Sequence, residues 1–241
     1  MIYITGDIHG DERRITRFAR EYAVTSDDVI VLLGDVGANY SCDWRDRRVK
    51  SHLDAIGCPV FCIHGNHEQR PQNIPSYRTK VWRGGEVFYQ QDYPNVLFAK
   101  DGEVFDLAGH KVLVIGGAYS VDKFYRLERG YNWWPDEQPD ADTKALVEWA
   151  LRNVHGIDVI FSHTCPWKYR PVEAFLPGLD QSTVDESTEL WLGQLENGLD
   201  YRAWYCGHWH INKRVDRIHF LFNEWEVLDE GQADRPAGQE V

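Results

Sequence analysis

The chain has 241 residues, 43% of them hydrophobic, and a formal net charge of −12 at pH 7. No apolar run approaches the roughly 20 residues that a membrane-spanning helix needs, and no signal peptide precedes the first apolar run, which starts at Ile2. The acidic balance argues against sequence-independent binding of duplex nucleic acid, which needs a basic surface.

In chain order, residues 1–5 are a short β-branched run stopped by Gly6, and residues 11–22 place Ile15, Phe18, Ala19 and Tyr22 on one helical face. Residues 29–33 are continuously apolar, as a strand buried on both faces should be. Residues 43–56 bring Val49, Leu53 and Ile56 together at helical spacing, and residues 59–63 read as the next strand. Residues 96–99, 103–107 and 111–115 are three short strands, with Asp101-Gly102 and Gly109-His110 as turn signals. Residues 141–154 form a helix with Ala145, Val147, Trp149 and Leu151 on a broad apolar surface. A strand at 157–161, a shorter helix at 186–195 and a strand at 203–206 follow, and residues 217–222 and 224–228 predict a closing hairpin. Strand–helix alternation implies βα units, and the added antiparallel strands imply two sheets packed together with helices outside. One domain is expected over residues 1–230, with a disordered polar tail over residues 231–241. The five cysteines include no CxxC pair, and Cys62 and Cys206 fall in predicted strands, so buried reduced thiols and a cytoplasmic location are expected.

Five polar motifs each follow a predicted strand: Gly6-Asp7-Ile8-His9-Gly10, Gly34-Asp35, Gly65-Asn66-His67-Glu68, Ser162-His163 and Gly207-His208-Trp209-His210. In α/β sheets the ligand site lies beyond the carboxyl ends of the strands. Asp, Asn and His gathered there are the side chains that hold a cluster of metal ions. Mixed nitrogen and oxygen donors suit Mn, Fe, Zn, Co or Ni better than Mg.

In order and spacing, these motifs resemble those of the calcineurin-like metallophosphoesterases: D-x-H, G-D, G-N-H-[DE], a single His, then G-H-x-H, over positions 7–210. The resemblance implies a four-layered α/β/β/α sandwich and two divalent metal ions per chain, Mn first among the candidates. Asp7, His9 and His210 would hold one metal, Asn66, His163 and His208 the other, and Asp35 would bridge them. It also implies hydrolysis of a phosphoester by a metal-bridging hydroxide attacking in line, with His67 contacting phosphate and protonating the leaving group.

The second motif departs from the protein phosphatases and diadenosine tetraphosphate hydrolases. Ala38 stands where they carry the Asp that orients the catalytic His, and Asn39 where their Arg grips phosphate. Ser162-His163-Thr164-Cys165-Pro166 and the final motif look more like the phosphodiesterase side, including lariat-RNA debranching enzymes. A phosphodiester or nucleotide substrate is therefore favoured over a phosphomonoester. A metal-binding regulatory module without activity is the other alternative.

Further candidates for substrate binding are Arg70, which stands close enough to replace the missing Arg, and Lys123, Arg126 and Arg129, which follow a Gly116-Gly117 pair and precede Trp133-Trp134. The tryptophans are candidates for stacking a base; solvated arginines on a packed insertion are the alternative. Lys168 and Arg170, on the loop after Pro166, are a second candidate grip or a surface pair.

Overall fold

Alternate strand residues fall in different apolar layers, and that period of two organises the molecule. Ile2, Ile4, Val29, Val31, Val112, Val114, Val159, Phe161, Ala203 and Tyr205 share one buried cluster. Their sequence neighbours Ile30 and Leu32 belong to a second cluster, and Leu113, Ile160 and Trp204 to a third. Two sheets thus meet face to face, with a helical layer outside each. This computed structural model describes residues 1–175, 178 and 180–229; the expected tail at residues 231–241 lies outside them.

The first sheet contains β1 (Ile2–Thr5), β2 (Val29–Leu32), β3 (Val60–Cys62), β4 (Arg78–Trp82), β5 (Gly85–Gln90), β6 (Tyr93–Ala99) and β13 (Glu226–Val227), in the order β13-β1-β2-β3-β6-β5-β4. The second contains β7 (Val104–Leu107), β8 (His110–Ile115), β9 (Ile157–Ser162), β10 (Ala203–Cys206), β11 (Lys213–Val215) and β12 (Ile218–Phe220), in the order β11-β12-β10-β9-β8-β7. Each has a parallel centre, β1-β2-β3-β6 in one and β12-β10-β9-β8 in the other, with antiparallel edges.

Helices α1 (Glu12–Glu21) and α2 (Trp44–Asp54) cover the first sheet through Ile15, Ala19, Val49 and Leu53. Helices α4 (Ala141–Asn153) and α5 (Ser187–Glu196) cover the second through Val147, Ala150, Trp191 and Leu192. The short α3 (Lys123–Arg129) buries only Arg126. The result is the expected four-layered α/β/β/α sandwich. Among the described residues no helix is long and apolar enough to cross a membrane.

Three details differ from the sequence reading. The three strands of residues 96–115 do not stay together: β6 pairs with β3 in the first sheet, while β7 and β8 form a hairpin in the second. The β4–β5 hairpin was not expected. The closing hairpin is instead β11–β12, and β13 crosses over to pair with β1. The crossing backbone finds partners for its carbonyls, which favours the crossover. The Thr5 hydroxyl donates to the Glu224 carbonyl at 2.8 Å, and the Arg14 guanidinium to that of Phe222 at 2.6 Å.

Candidate metal centre

Asp7 and His9 follow β1, Asp35 follows β2, Asn66 and His67 follow β3, His163 follows β9, and His208 and His210 follow β10. The carboxyl ends of five parallel strands, from both sheets, therefore converge. Two glycines permit the approach. A Cβ on Gly34, which sits at φ +107°, would stand 2.1 Å from His163 Nδ1, and one on Gly207 would stand 2.3 Å from Asp7 Oδ1.

Backbone amides hold both carboxylates. His208 N donates to Asp7 Oδ1 at 2.9 Å, and His67 N donates to Asp35 Oδ1 at 2.7 Å. The other Asp7 oxygen, Oδ2, is buried without a hydrogen-bond partner. It faces His210 Nε2 at 3.2 Å and His9 Nε2 at 3.8 Å. Asp35 lies 3.6 Å from His163 Nε2 through Oδ1 and 3.9 Å from His9 Nε2 through Oδ2.

The ring nitrogens oppose other lone pairs. His163 Nδ1 donates to the Leu33 carbonyl at 2.8 Å, which leaves Nε2 as an acceptor. That nitrogen lies 2.8 Å from Asn66 Oδ1, whose amide nitrogen is turned away to donate to Ser120 Oγ at 2.9 Å. His9 Nε2 and His210 Nε2 are 2.9 Å apart. Two acceptors as close as His163 Nε2 and Asn66 Oδ1 repel unless a cation lies between them, whereas the roles of His9 and His210 depend on their tautomers; a second shell that fixes each ligand's orientation is typical of metal sites. The donor set therefore fits divalent metal.

Protonation agrees. Burial works to raise the pKa of Asp7 and Asp35, but neighbouring imidazoles outweigh it, His210 and His163 for Asp7 and His163 and His67 for Asp35, so both lie below the usual carboxylate value. Burial pushes His9 down and His208 well below the ordinary imidazole value. Ionised carboxylates and neutral imidazoles are the forms that bind metal. The nearby Asp7 carboxylate lifts His210. At His67 burial opposes charging, but Asp122 and Asp35 outweigh it and raise the pKa.

Among the described residues, three groups of donor atoms fall within 4.8 Å: Asp7–His9–His210, His9–Asp35–His67 and Asp7–Asp35–His163. His208 stands outside all three, its ring 5.0 Å from that of His163. A cavity of about 470 Å³ opens beside this cluster, with a wall formed by Val121, Phe175, Val184 and Trp209. The sequence reading missed that wall. Its one local signal was Trp209, between the two histidines of the last motif; the rest comes from loops brought together only by the fold.

The cationic candidates separate. Arg170 lines the cavity, but it is ion-paired with Glu186 and lies over the Trp167 ring at 4.4 Å. Lys168 pairs with Glu196 at 2.7 Å. Lys123 lies 4.3 Å over Trp133, and Arg129 5.5 Å over Tyr125; neither lines the cavity. Arg126 is buried behind the site and donates to Ser120 Oγ at 3.1 Å, supporting Asn66 at one remove. Arg70 is also buried, held by Asp101 Oδ2 at 2.6 Å and the Asp136 carbonyl at 2.7 Å, and it does not line the cavity. Trp134 packs on Tyr40, which stacks on His67, so this aromatic segment buttresses His67 instead of lining the cavity.

No curated protein matches the chain. Among solved structures it is similar to TT1561 of Thermus thermophilus, with 16% identity and a TM-score of 0.48 over 86% of this chain and 80% of that one. The family model of the calcineurin-like phosphoesterases matches residues 1–212. The chain belongs to the calcineurin-like phosphoesterases, a family of metal-dependent phosphoester hydrolases.

Proposed function

We propose that the protein hydrolyses phosphoesters, a phosphodiester or nucleotide by preference, with two divalent cations held by Asp7, His9 and His210, by Asn66, His163 and His208, and by Asp35 between them. The observation that carries this reading is the opposition of His163 Nε2 to Asn66 Oδ1 at 2.8 Å, with His9 Nε2 and His210 Nε2 gathered 2.9 Å apart beside Asp7 Oδ2. The mixed donor set favours Mn, with Fe, Zn, Co or Ni as alternatives. Bound there, such cations supply Lewis acidity and a nucleophilic water at neutral pH.

The chain's own residues complete the chemistry. The backbone of His67 and His208 holds Asp35 and Asp7 in place. Leu33 and Ser120 fix the orientations of His163 and Asn66. His67 sits at the cavity and, as an imidazolium stabilised by Asp122, gives its proton to the departing oxygen. A diester is favoured because, among the described residues lining the cavity, Arg170 is the one Lys or Arg, and Glu186 engages it. Among the described residues, a dianionic monoester would find no Lys or Arg at the cavity free to pair with it.

The test is hydrolysis of p-nitrophenyl phosphate and bis-p-nitrophenyl phosphate by metal-stripped protein reloaded with Mn²⁺, beside Asp35→Asn. Diester turnover that the substitution abolishes supports the reading. Monoester turnover alone moves the substrate to the phosphatase class. No turnover of either ester with two metals bound overturns it in favour of an inactive binding module.

A further inference from the structure

We propose that the cavity beside the metal centre receives one uncharged, largely apolar arm of the ester and rejects an arm carrying a second negative charge. This rests on the phosphoesterase reading above and names its substrate class. At about 470 Å³, the cavity lies within the roughly 300–1,000 Å³ of small-molecule sites. The ligand cluster lines it together with the apolar side chains of Val121, Phe175, Val184 and Trp209. Phe175 and Trp209 lie nearly parallel, with centroids 5.8 Å and planes 18° apart, and both rings line the cavity. An aryl or alkyl arm gains by displacing water from such a wall.

Charge supplies the other half. Asp122, Glu186 and Glu189 also line the cavity. Glu189 is buried and accepts from Thr164 Oγ1 at 2.8 Å, and the Arg170 charge is already taken by Glu186. A second anion in this space meets carboxylates and hydrocarbon, and among the described lining residues Arg170 and His67 are already engaged by Glu186 and Asp122, so it is disfavoured. Cations held by the ligand cluster would take the scissile phosphate and leave a second charge on the arm unpaired.

The test uses competitive inhibition of bis-p-nitrophenyl phosphate hydrolysis by the full-length, Mn²⁺-loaded protein. The inhibitors are three methylphosphonate monoesters with methyl, phenyl and 2-sulfoethyl arms. Only the arm differs, and a sulfonate competes weakly for the metals. The expected inhibition constant of the phenyl ester is lower than that of the methyl ester by about tenfold or more, and the 2-sulfoethyl ester binds no more tightly than the methyl one. Phe175→Ala shrinks the phenyl advantage. Val184→Lys shrinks it too and makes the 2-sulfoethyl ester bind more tightly than the methyl ester, with the metal content of each variant reporting its fold. Equal constants for all three esters, or tightest binding of the 2-sulfoethyl ester to the unsubstituted protein, overturn the pocket while the phosphoesterase reading stands. No turnover of the reporter with two metals bound overturns that reading and the pocket together.

Discussion

Asp122 Oδ1 lies 3.5 Å from His67 Nε2, so a carboxylate that follows the second sheet's β8 faces the imidazole that follows the first sheet's β3. The position that carries the orienting Asp in protein phosphatases is Ala38 here, and it is fully buried in the outer apolar layer of the first sheet. Asp122 supplies a carboxylate from elsewhere in the chain. Asp122→Asn is expected to lower kcat about 10–100-fold, as loss of an orienting partner does. His67→Ala is expected to lower it by roughly 10²–10⁴. Both variants keep their metals. Unchanged kcat in steady-state assays of either variant would remove its assigned role.

Gly34→Ala tests the packing that brings the sheets together. The added methyl meets His163 Nδ1 at 2.1 Å, at a φ of +107°, and displaces the ring from the Leu33 carbonyl. Metal affinity is expected to fall about 10–100-fold, and stability by about 1–3 kcal/mol. Calorimetry with and without added Mn²⁺ reads both; wild-type values would show that the ring tolerates the shift.

Arg70→Met separates a clamp from a substrate grip. Removing the guanidinium strands the buried Asp101 carboxylate, whose other oxygen accepts from Gly116 N at 2.7 Å. The expected loss is about 3–5 kcal/mol in denaturant unfolding, with KM for the reporter ester unchanged. Normal stability with a raised KM would return Arg70 to the substrate.

Glu12 gives a pH dependence remote from the metals. It is buried on α1 and joins α2 through His52 at 2.9 Å and Arg48 at 3.5 Å. Burial works to raise its pKa, but the His52 bond and the Arg48 charge outweigh it and hold it below 4.5. A lowered folded value means that the stabilisation is complete above the unfolded value and is lost as pH falls through the folded one. Because His52 is half-exposed, Glu12→Gln is expected to cost only about 1 kcal/mol at pH 7 and to flatten the fall in Tm below pH 4.5. An identical acid limb in the variant would show that the pair contributes nothing.

What was legible in the sequence follows from which signals are local. Residues 29–33 announce a buried strand by themselves, and each ligand is tied to a strand end, so the cluster could be drawn before the fold was known. The β4–β5 hairpin gave no such signal. It is an edge with a mostly exposed β4, and its turn is Arg83-Gly84, both at positive φ, instead of Asn-Gly or Asp-Gly. Helix α3 has no apolar stripe, since its one buried residue is Arg126. The β13 crossover and the cavity wall depend on contacts between distant segments. Arg70 looked free in sequence because Asp101, 31 residues away, pairs with it only in the fold.

The most direct test is metal stoichiometry, measured by elemental analysis on protein equilibrated with Mn²⁺ and freed of unbound ion. Two ions per chain are expected, falling to one or fewer in Asp35→Asn as the shared ligand is weakened. A folded chain that binds none, or two ions retained with unchanged affinity in Asp35→Asn, would contradict a dinuclear centre bridged by Asp35.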